Sequence, residues 1–118
     1  LGSDQVSSNY RTAVLKRALK LISQYEQMPE TVNDLCEMTG ASWSTLERAF
    51  KLEFGVGPKA YIKIRRLNAV RNEIISLGPG TRIHQVANRW GFWHMGSFAA
   101  DYRKQFGELP SDTLRRSG

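Results

Sequence analysis

Apolar residues recur at helical spacing along most of the chain. In "YRTAVLKRALKLISQYEQ", residues 10–27, Val14, Ala18, Leu21, Ile22 and Tyr25 share one face, while Arg11, Lys16, Arg17 and Lys20 fall largely elsewhere. The spacing predicts a helix there. Met28-Pro29 ends it, because a residue ahead of proline is driven out of the helical region. Residues 58–77 predict a second long helix with a stripe near Tyr61, Ile64, Leu67 and Ile74, broken by "LGPG" at 77–80. A final short helix starts at Pro110. No segment alternates convincingly as a strand does, so the chain reads as all-α.

Between these helices lies a repeat. "VNDLCEMTGASWSTLERAFKLEFGVGP", 32–58, matches "IHQVANRWGFWHMGSFAADYRKQFGELP", 83–110, in pattern. Val32 answers Ile83, Leu35 answers Val86, Gly40 answers Gly91, Leu46 answers Phe98, Phe50 answers Tyr102, Gly55 answers Gly107 and Pro58 answers Pro110. The second copy carries one extra residue between Gly91 and Phe98.

Each copy predicts helix, tight turn, helix. In the first, Thr31 caps a short helix with Asp34 completing an approximate capping box. Gly40 supplies the left-handed conformation that stops it. Ser42 or Ser44 caps the next helix, whose inner face is Leu46, Ala49, Phe50 and Phe54. In the second copy Thr81 is the expected cap, Ile83, Val86 and Ala87 the inner face, Gly91 the turn, and Phe98, Tyr102 and Phe106 the inner face of the second helix. Cys36 and Ala87, each four places before the turn glycine, provide the small side chain that two steeply crossing helices need. This is the helix-turn-helix pattern.

Charge turns the pattern toward a partner. Seventeen Lys and Arg stand against eleven Asp and Glu, a formal net charge of +6, which favours a polyanion. "KAYIKIRRLNAVR", 59–71, holds five cations and no acid. Arg48, Lys51, Arg103 and Lys104 lie on the second helices of the two copies. Such a helix fits the DNA major groove. A connecting helix of about 19 residues spans roughly 28 Å, against roughly 34 Å between successive grooves on one DNA face. One chain then places two reading helices, 43–54 and 94–106, in adjacent grooves of a bent duplex. Helix N-termini and cations hold phosphates.

Other chemistries find little support. The single cysteine, Cys36, permits no intrachain disulfide and no cysteine-based zinc site, and reads as a small buried residue in a reducing cytoplasm. His84 and His94 lie on different helices with no carboxylate to complete a metal set. No glycine-rich phosphate loop is present, so the chain reads as no enzyme, and no cofactor is expected. No run is long and apolar enough for a membrane span, and no signal peptide opens the chain. Leu1-Gly2-Ser3 reads as a cloning scar, and the chain as a fragment of something longer.

The stretch "RWGFWHMGSF", 89–98, has two tryptophans within ten residues. Trp90 and Phe92 read as core, and Met95 as exposed at the head of its helix. Trp93 is open between packing and DNA backbone contact.

The stretch 82–115, "RIHQVANRWGFWHMGSFAADYRKQFGELPSDTLR", and "YIKIRRLNAV" at 61–70 resemble the DNA-binding region of the AraC/XylS family of bacterial transcription regulators. The second-copy wording is closest to XylS-like members. The resemblance covers essentially 10–116. It implies a bacterial transcription factor, usually an activator, with about seven helices in two helix-turn-helix subdomains joined by a long central helix. The expected layout is a flexible lead at 1–9, a first subdomain at 10–57, a linking helix at 58–77 and a second subdomain at 78–118.

Base-reading positions fall on Ser44, Glu47 and Arg48, with Trp43 adjacent, and in the second unit on Met95, Gly96, Ala99 and Ala100, with Trp93 and His94 just ahead. Arg48 pairs with guanine O6 and N7, Glu47 accepts from cytosine N4, and His94 donates to a base or phosphate. Ala100 stands where many members have arginine, so the second unit reads thymine methyls, DNA shape or backbone more than base edges. Phosphate contacts are assigned to Ser42, Lys51, Lys59, Arg65, Arg66, Trp93, Arg103 and Lys104. The implied partners are double-stranded operator DNA and RNA polymerase, with an effector only on a domain beyond this chain. The alternative is an interaction module that docks on RNA polymerase and binds DNA weakly and generically.

Overall fold

A computed structural model of the chain describes residues 2–24 and 31–117. Among the described residues it forms seven helices and no strand: α1 (Gly2–Ser23), α2 (Val32–Thr39), α3 (Trp43–Phe54), α4 (Pro58–Leu77), α5 (Ile83–Arg89), α6 (Met95–Phe106) and α7 (Pro110–Ser117). The chain divides into two compact units between Ile62 and Lys63. The division falls inside α4, so that helix serves a core at each end.

The first unit closes on Val14, Ala18 and Ile22 of α1. Their i, i+4, i+8 spacing makes one stripe, packed with Leu35, Ala41, Leu46, Phe50 and Ile62. Thr31 and Asp34 form the expected capping box: the Asp34 N–H donates to Thr31 Oγ1, and the Thr31 N–H donates to the Asp34 carboxylate, both at 3.1 Å. Gly40 ends α2 with φ +74°, and its N–H donates to the Cys36 carbonyl. Ser42 caps α3 by accepting from the Thr45 N–H at 3.2 Å. Arg17 of α1 donates to the Met38 carbonyl at 3.2 Å, satisfying one of the orphan acceptors at the end of α2.

The second unit closes on Leu67, Val70 and Ile74 of α4 with Val86, Ala87, Phe98 and Tyr102. Aromatic contacts run down α6, from Phe92 to Phe98 at 5.0 Å and from Tyr102 to Phe106 at 4.6 Å between ring centres.

Several expectations are corrected. α1 is helical from Gly2 rather than from residue 10. Once later turns exist, each added residue gains one hydrogen bond for one fixed residue, so weak helix formers are drawn in. Tyr25 and the Met28-Pro29 stop lie outside the described residues. On α4 the buried residues of the first turns are Pro58 and Ile62, with Tyr61 and Ile64 half-buried, because the stripe serves two cores. Phe54 is exposed, though its ring stacks on Tyr61 at 4.6 Å. Thr81 does not cap α5. Its hydroxyl donates to the Gly78 carbonyl, and Arg82 takes the cap position without a side-chain hydrogen bond. Met95 is half-buried against the second core rather than exposed, whereas Phe92 packs against that core as expected. α6 begins at Met95, so His94 stands ahead of the helix.

Candidate nucleic-acid interface

The inner faces of α3 and α6 are consumed by the two cores, which leaves one outward face on each. On α3, Leu46, Ala49 and Phe50 are buried, and Trp43, Ser44, Arg48 and Lys51 are exposed. Ser44, Arg48 and Lys51 share one face at i, i+4 and i+7. Glu47 lies beside them, half-buried. Its carboxylate meets Lys51 Nζ at 2.8 Å. The same carboxylate fills the space beside Gly57, where a Cβ would come within 2.8 Å of it. Glu47 is therefore held by its own unit. Ser42 is exposed, with its oxygen occupied in capping.

On α6, Phe98 and Tyr102 are buried. Gly96, Ala100, Arg103 and Lys104 are exposed and Ala99 is half-buried. Trp93 and His94 stand ahead of the helix, both exposed, Trp93 at 71%. Trp90 packs against the core instead.

The basic run on α4 separates into two kinds of cation. Lys59 and Arg65 are exposed. Lys63 pairs with Asp101 at 3.2 Å, and Arg71 lies over the Phe106 ring at 5.4 Å. Arg66 is half-buried, with its guanidinium against Gly91, where a Cβ would meet it at 2.9 Å. Gly91 sits at φ +90° in the turn ahead of α6. Of the five cations, three are thus engaged within the second unit. Nothing in linear spacing marks these contacts, since each spans more than twenty residues.

Sequence reading also missed a polar cluster beneath α6. The Tyr102 hydroxyl, fully buried, lies 2.7 Å from Thr113 Oγ1. Thr113 in turn donates to Glu108, which also takes a hydrogen bond from Arg116 at 2.6 Å. Because the Thr113 proton goes to Glu108, Tyr102 is the donor to Thr113. Burial pushes the Tyr102 hydroxyl above its ordinary pKa. The Thr113 hydrogen bond, then Arg116, holds Glu108 below the usual carboxylate range. The Leu109 backbone N–H does the same for Asp112. This cluster ties α7 to α6. No helix among the described residues is long and apolar enough to cross a membrane, and no group of three His, Cys, Asp or Glu among them is placed to hold a metal ion.

A family profile described as a helix-turn-helix domain matches residues 35–116. The chain is 31% identical over 103 residues to the probable thc operon regulatory protein of Rhodococcus erythropolis, covering 86% of this chain and 31% of that one. It is 35% identical over 102 residues to the XylDLEGF operon transcriptional activator 1 of Pseudomonas putida, covering 86% and 31%. The chain thus spans about a third of the length of these curated relatives. Among solved structures, a probable AraC family transcriptional regulator from Rhodopseudomonas palustris shares 33% identity with a TM-score of 0.75, covering 90% of this chain and 97% of that one. A regulator described as containing an AraC-type DNA-binding domain, from Chromobacterium violaceum, shares 26% identity with a TM-score of 0.76, covering 91% and 94%.

Proposed function

The chain belongs to the AraC/XylS family of helix-turn-helix DNA-binding transcription regulators, and from that premise we propose that it binds one asymmetric double-stranded site with α3 and α6 in successive major grooves. The observation that carries this reading is the duplicated unit, in which each second helix buries one face and leaves the other exposed. In the first unit Arg48 pairs with a guanine edge, Ser44 and Trp43 flank it, and Glu47 exchanges its Lys51 partner for the amino group of a neighbouring cytosine. Lys51, Lys59, Arg65, Arg103 and Lys104 lie against phosphates, and fix register without carrying sequence information. In the full-length protein the bound units recruit RNA polymerase and activate transcription, under control of an effector that binds outside this chain.

The test is selection of duplexes from a random pool, read by sequencing, with affinities taken at two salt concentrations. A gapped, asymmetric motif spanning two helical turns is expected. Arg48→Ala then weakens binding by about 1–3 kcal/mol and flattens preference at one base pair. Binding without enrichment, collapsing as salt rises, would instead mark a generic polyanion binder. The chain would then be read as a polymerase-docking module. Unchanged affinity in Arg48→Ala would remove the assignment of Arg48 to base reading.

A further inference from the structure

The head of α6 lacks the anchor that holds the head of α3. Ser42 caps α3 with its hydroxyl, which accepts from the Thr45 N–H at 3.2 Å. His94, the cap residue of α6, makes no side-chain cap hydrogen bond. The first turn of α6 then runs through half-buried Met95 and exposed Gly96 and Ser97, and the first buried residue is Phe98. Glycine is among the weakest helix formers. The N-terminal residues of a reading helix are the ones that meet base edges. The part of α6 that matters most for reading is therefore the part its own sequence holds least.

The turn ahead of α6 is held from α4 instead. Lys63, Arg66, Val70 and Glu73, at i, i+3, i+7 and i+10, form one stripe along α4. Val70 is buried in the second core. Lys63 pairs with Asp101 of α6 at 3.2 Å, and Glu73 pairs with Arg89 of α5 at 3.3 Å. Arg66 lies between them on the stripe and meets the turn itself. Its Nη1 stands where a Cβ on Gly91 would need to be, 2.9 Å away. The polar members of the stripe thus touch α6, the turn and α5 in order. The two ion pairs are partly exposed, and such pairs stabilise little. Arg66 differs, because it is half-buried and lies against backbone. Gly91 holds φ +90° there, and the Phe92 N–H closes the turn on the Ala87 carbonyl at 2.9 Å. At Gly40, the matching glycine of the first unit, a Cβ would meet nothing within 4 Å among the described residues. The capped unit leaves its turn glycine open, and the uncapped unit fills the space with an arginine.

We propose that Arg66 is a positioning residue for the second reading helix. Its planar guanidinium packs against the Gly91 turn and fixes the direction in which the head of α6 leaves that turn, and it holds no DNA phosphate. This replaces the phosphate contact expected for Arg66 from the basic run on α4. It rests on the reading of α6 as a groove-entering helix. Lysine cannot take the role over, since it carries the same charge on a flexible stem without a planar group to fill that space.

The experiment compares the unaltered chain with Arg66→Lys and Arg66→Gln on the duplex that the unaltered chain selects. Affinities are taken across a range of salt, and melting temperatures beside them. The half-site of the second unit is identified by its indifference to Arg48→Ala. A mismatch in that half should cost the unaltered chain about tenfold in affinity. In both variants the cost should shrink to about twofold, with first-half mismatches costing as before and the salt slope unchanged. A phosphate contact gives a different pattern: Arg66→Gln weakens all duplexes equally and lowers the salt slope by about 1, and Arg66→Lys binds as the unaltered chain does. That pattern would overturn the proposal. So would a lower melting temperature with second-half preference intact, which assigns Arg66 to folding alone. Gly91→Ala supplies a second reading, because its methyl displaces the same guanidinium from the other side. It should lose the same preference, and adding Arg66→Lys to it should cost little more. Losses that multiply would mean two independent effects and overturn the brace. If the pool yields no enriched site at all, the groove reading itself fails. If it yields one whose second half Arg66→Lys reads unchanged, only the present proposal fails.

Discussion

Thr113 is a small residue with a large share of the second unit's polar bookkeeping. Its hydroxyl accepts from buried Tyr102 and donates to Glu108. Thr113→Val keeps the shape but leaves the Tyr102 hydroxyl without an acceptor, so unfolding by urea should report a loss of about 1–3 kcal/mol. The same network sets an acid limit. Glu108 and Asp112 have folded pKa values below their unfolded ones. Their stabilisation is complete above the ordinary carboxylate range near pH 4 and is lost as pH falls through the lower folded values. Tyr102 behaves in the opposite sense, because its folded pKa is raised. Its contribution is intact below about pH 10 and lost above it. Melting temperature against pH should fall at both ends, and Thr113→Val should shrink the acid-side drop. At this scale the sequence was least informative. Tyr102 was legible as a core residue from its place in the α6 stripe, but its hydroxyl's partner lies eleven residues on, across a turn. Arg66 and Glu47 were legible as polar and helical, yet each settles beside a glycine that only the fold brings near.

At the scale of elements, most of the fold was readable because its punctuation is chemical. Pro58 and Pro110 open helices at their first positions, and Gly40, Gly55 and Gly107 close them in the left-handed conformation. The periodic apolar faces of α3 and α6 did the rest. Caps were readable where the side chain had no competing acceptor. Thr31 caps α2, and Thr31→Ala should cost about 1 kcal/mol in chemical unfolding. Thr81 was diverted by the Gly78 carbonyl that the loop places beside it. α5 is left with an uncapped N-terminus at Arg82. Arg82→Asp should therefore stabilise the chain by about 0.5–1 kcal/mol, read as a raised urea midpoint. A fall in the midpoint would mean that Arg82 holds an interaction more valuable than a cap.

For the whole molecule, the surplus of cations is the feature that a partner feels first. The net charge is +6. In the proposed reading, exposed Lys59 and Arg65 hold phosphates while exposed Arg48 reads a base edge. Replacing either with alanine should weaken all duplexes about equally and lower the salt slope by about 1, whereas Arg48→Ala should change which duplexes are preferred. A change of preference in Lys59→Ala would move that residue from phosphate to base. Net charge was fully legible in the sequence. How it is spent was not, since Lys63 and Arg71 are engaged by Asp101 and Phe106 within their own unit.

The chain also carries its own optics. Of its three indoles, Trp90 packs against a core, while Trp43 and Trp93 stand 54% and 71% exposed, one near the head of each outward-facing helix. An indole in water emits to the red of a packed one, and its emission changes when a surface covers it. Trp43→Phe leaves Trp93 as the exposed reporter, in the second unit, and Trp93→Phe leaves Trp43, in the first, with the packed Trp90 as a common background in both. Rapid mixing of each variant with the selected duplex would then time the two arrivals separately, with no dye attached.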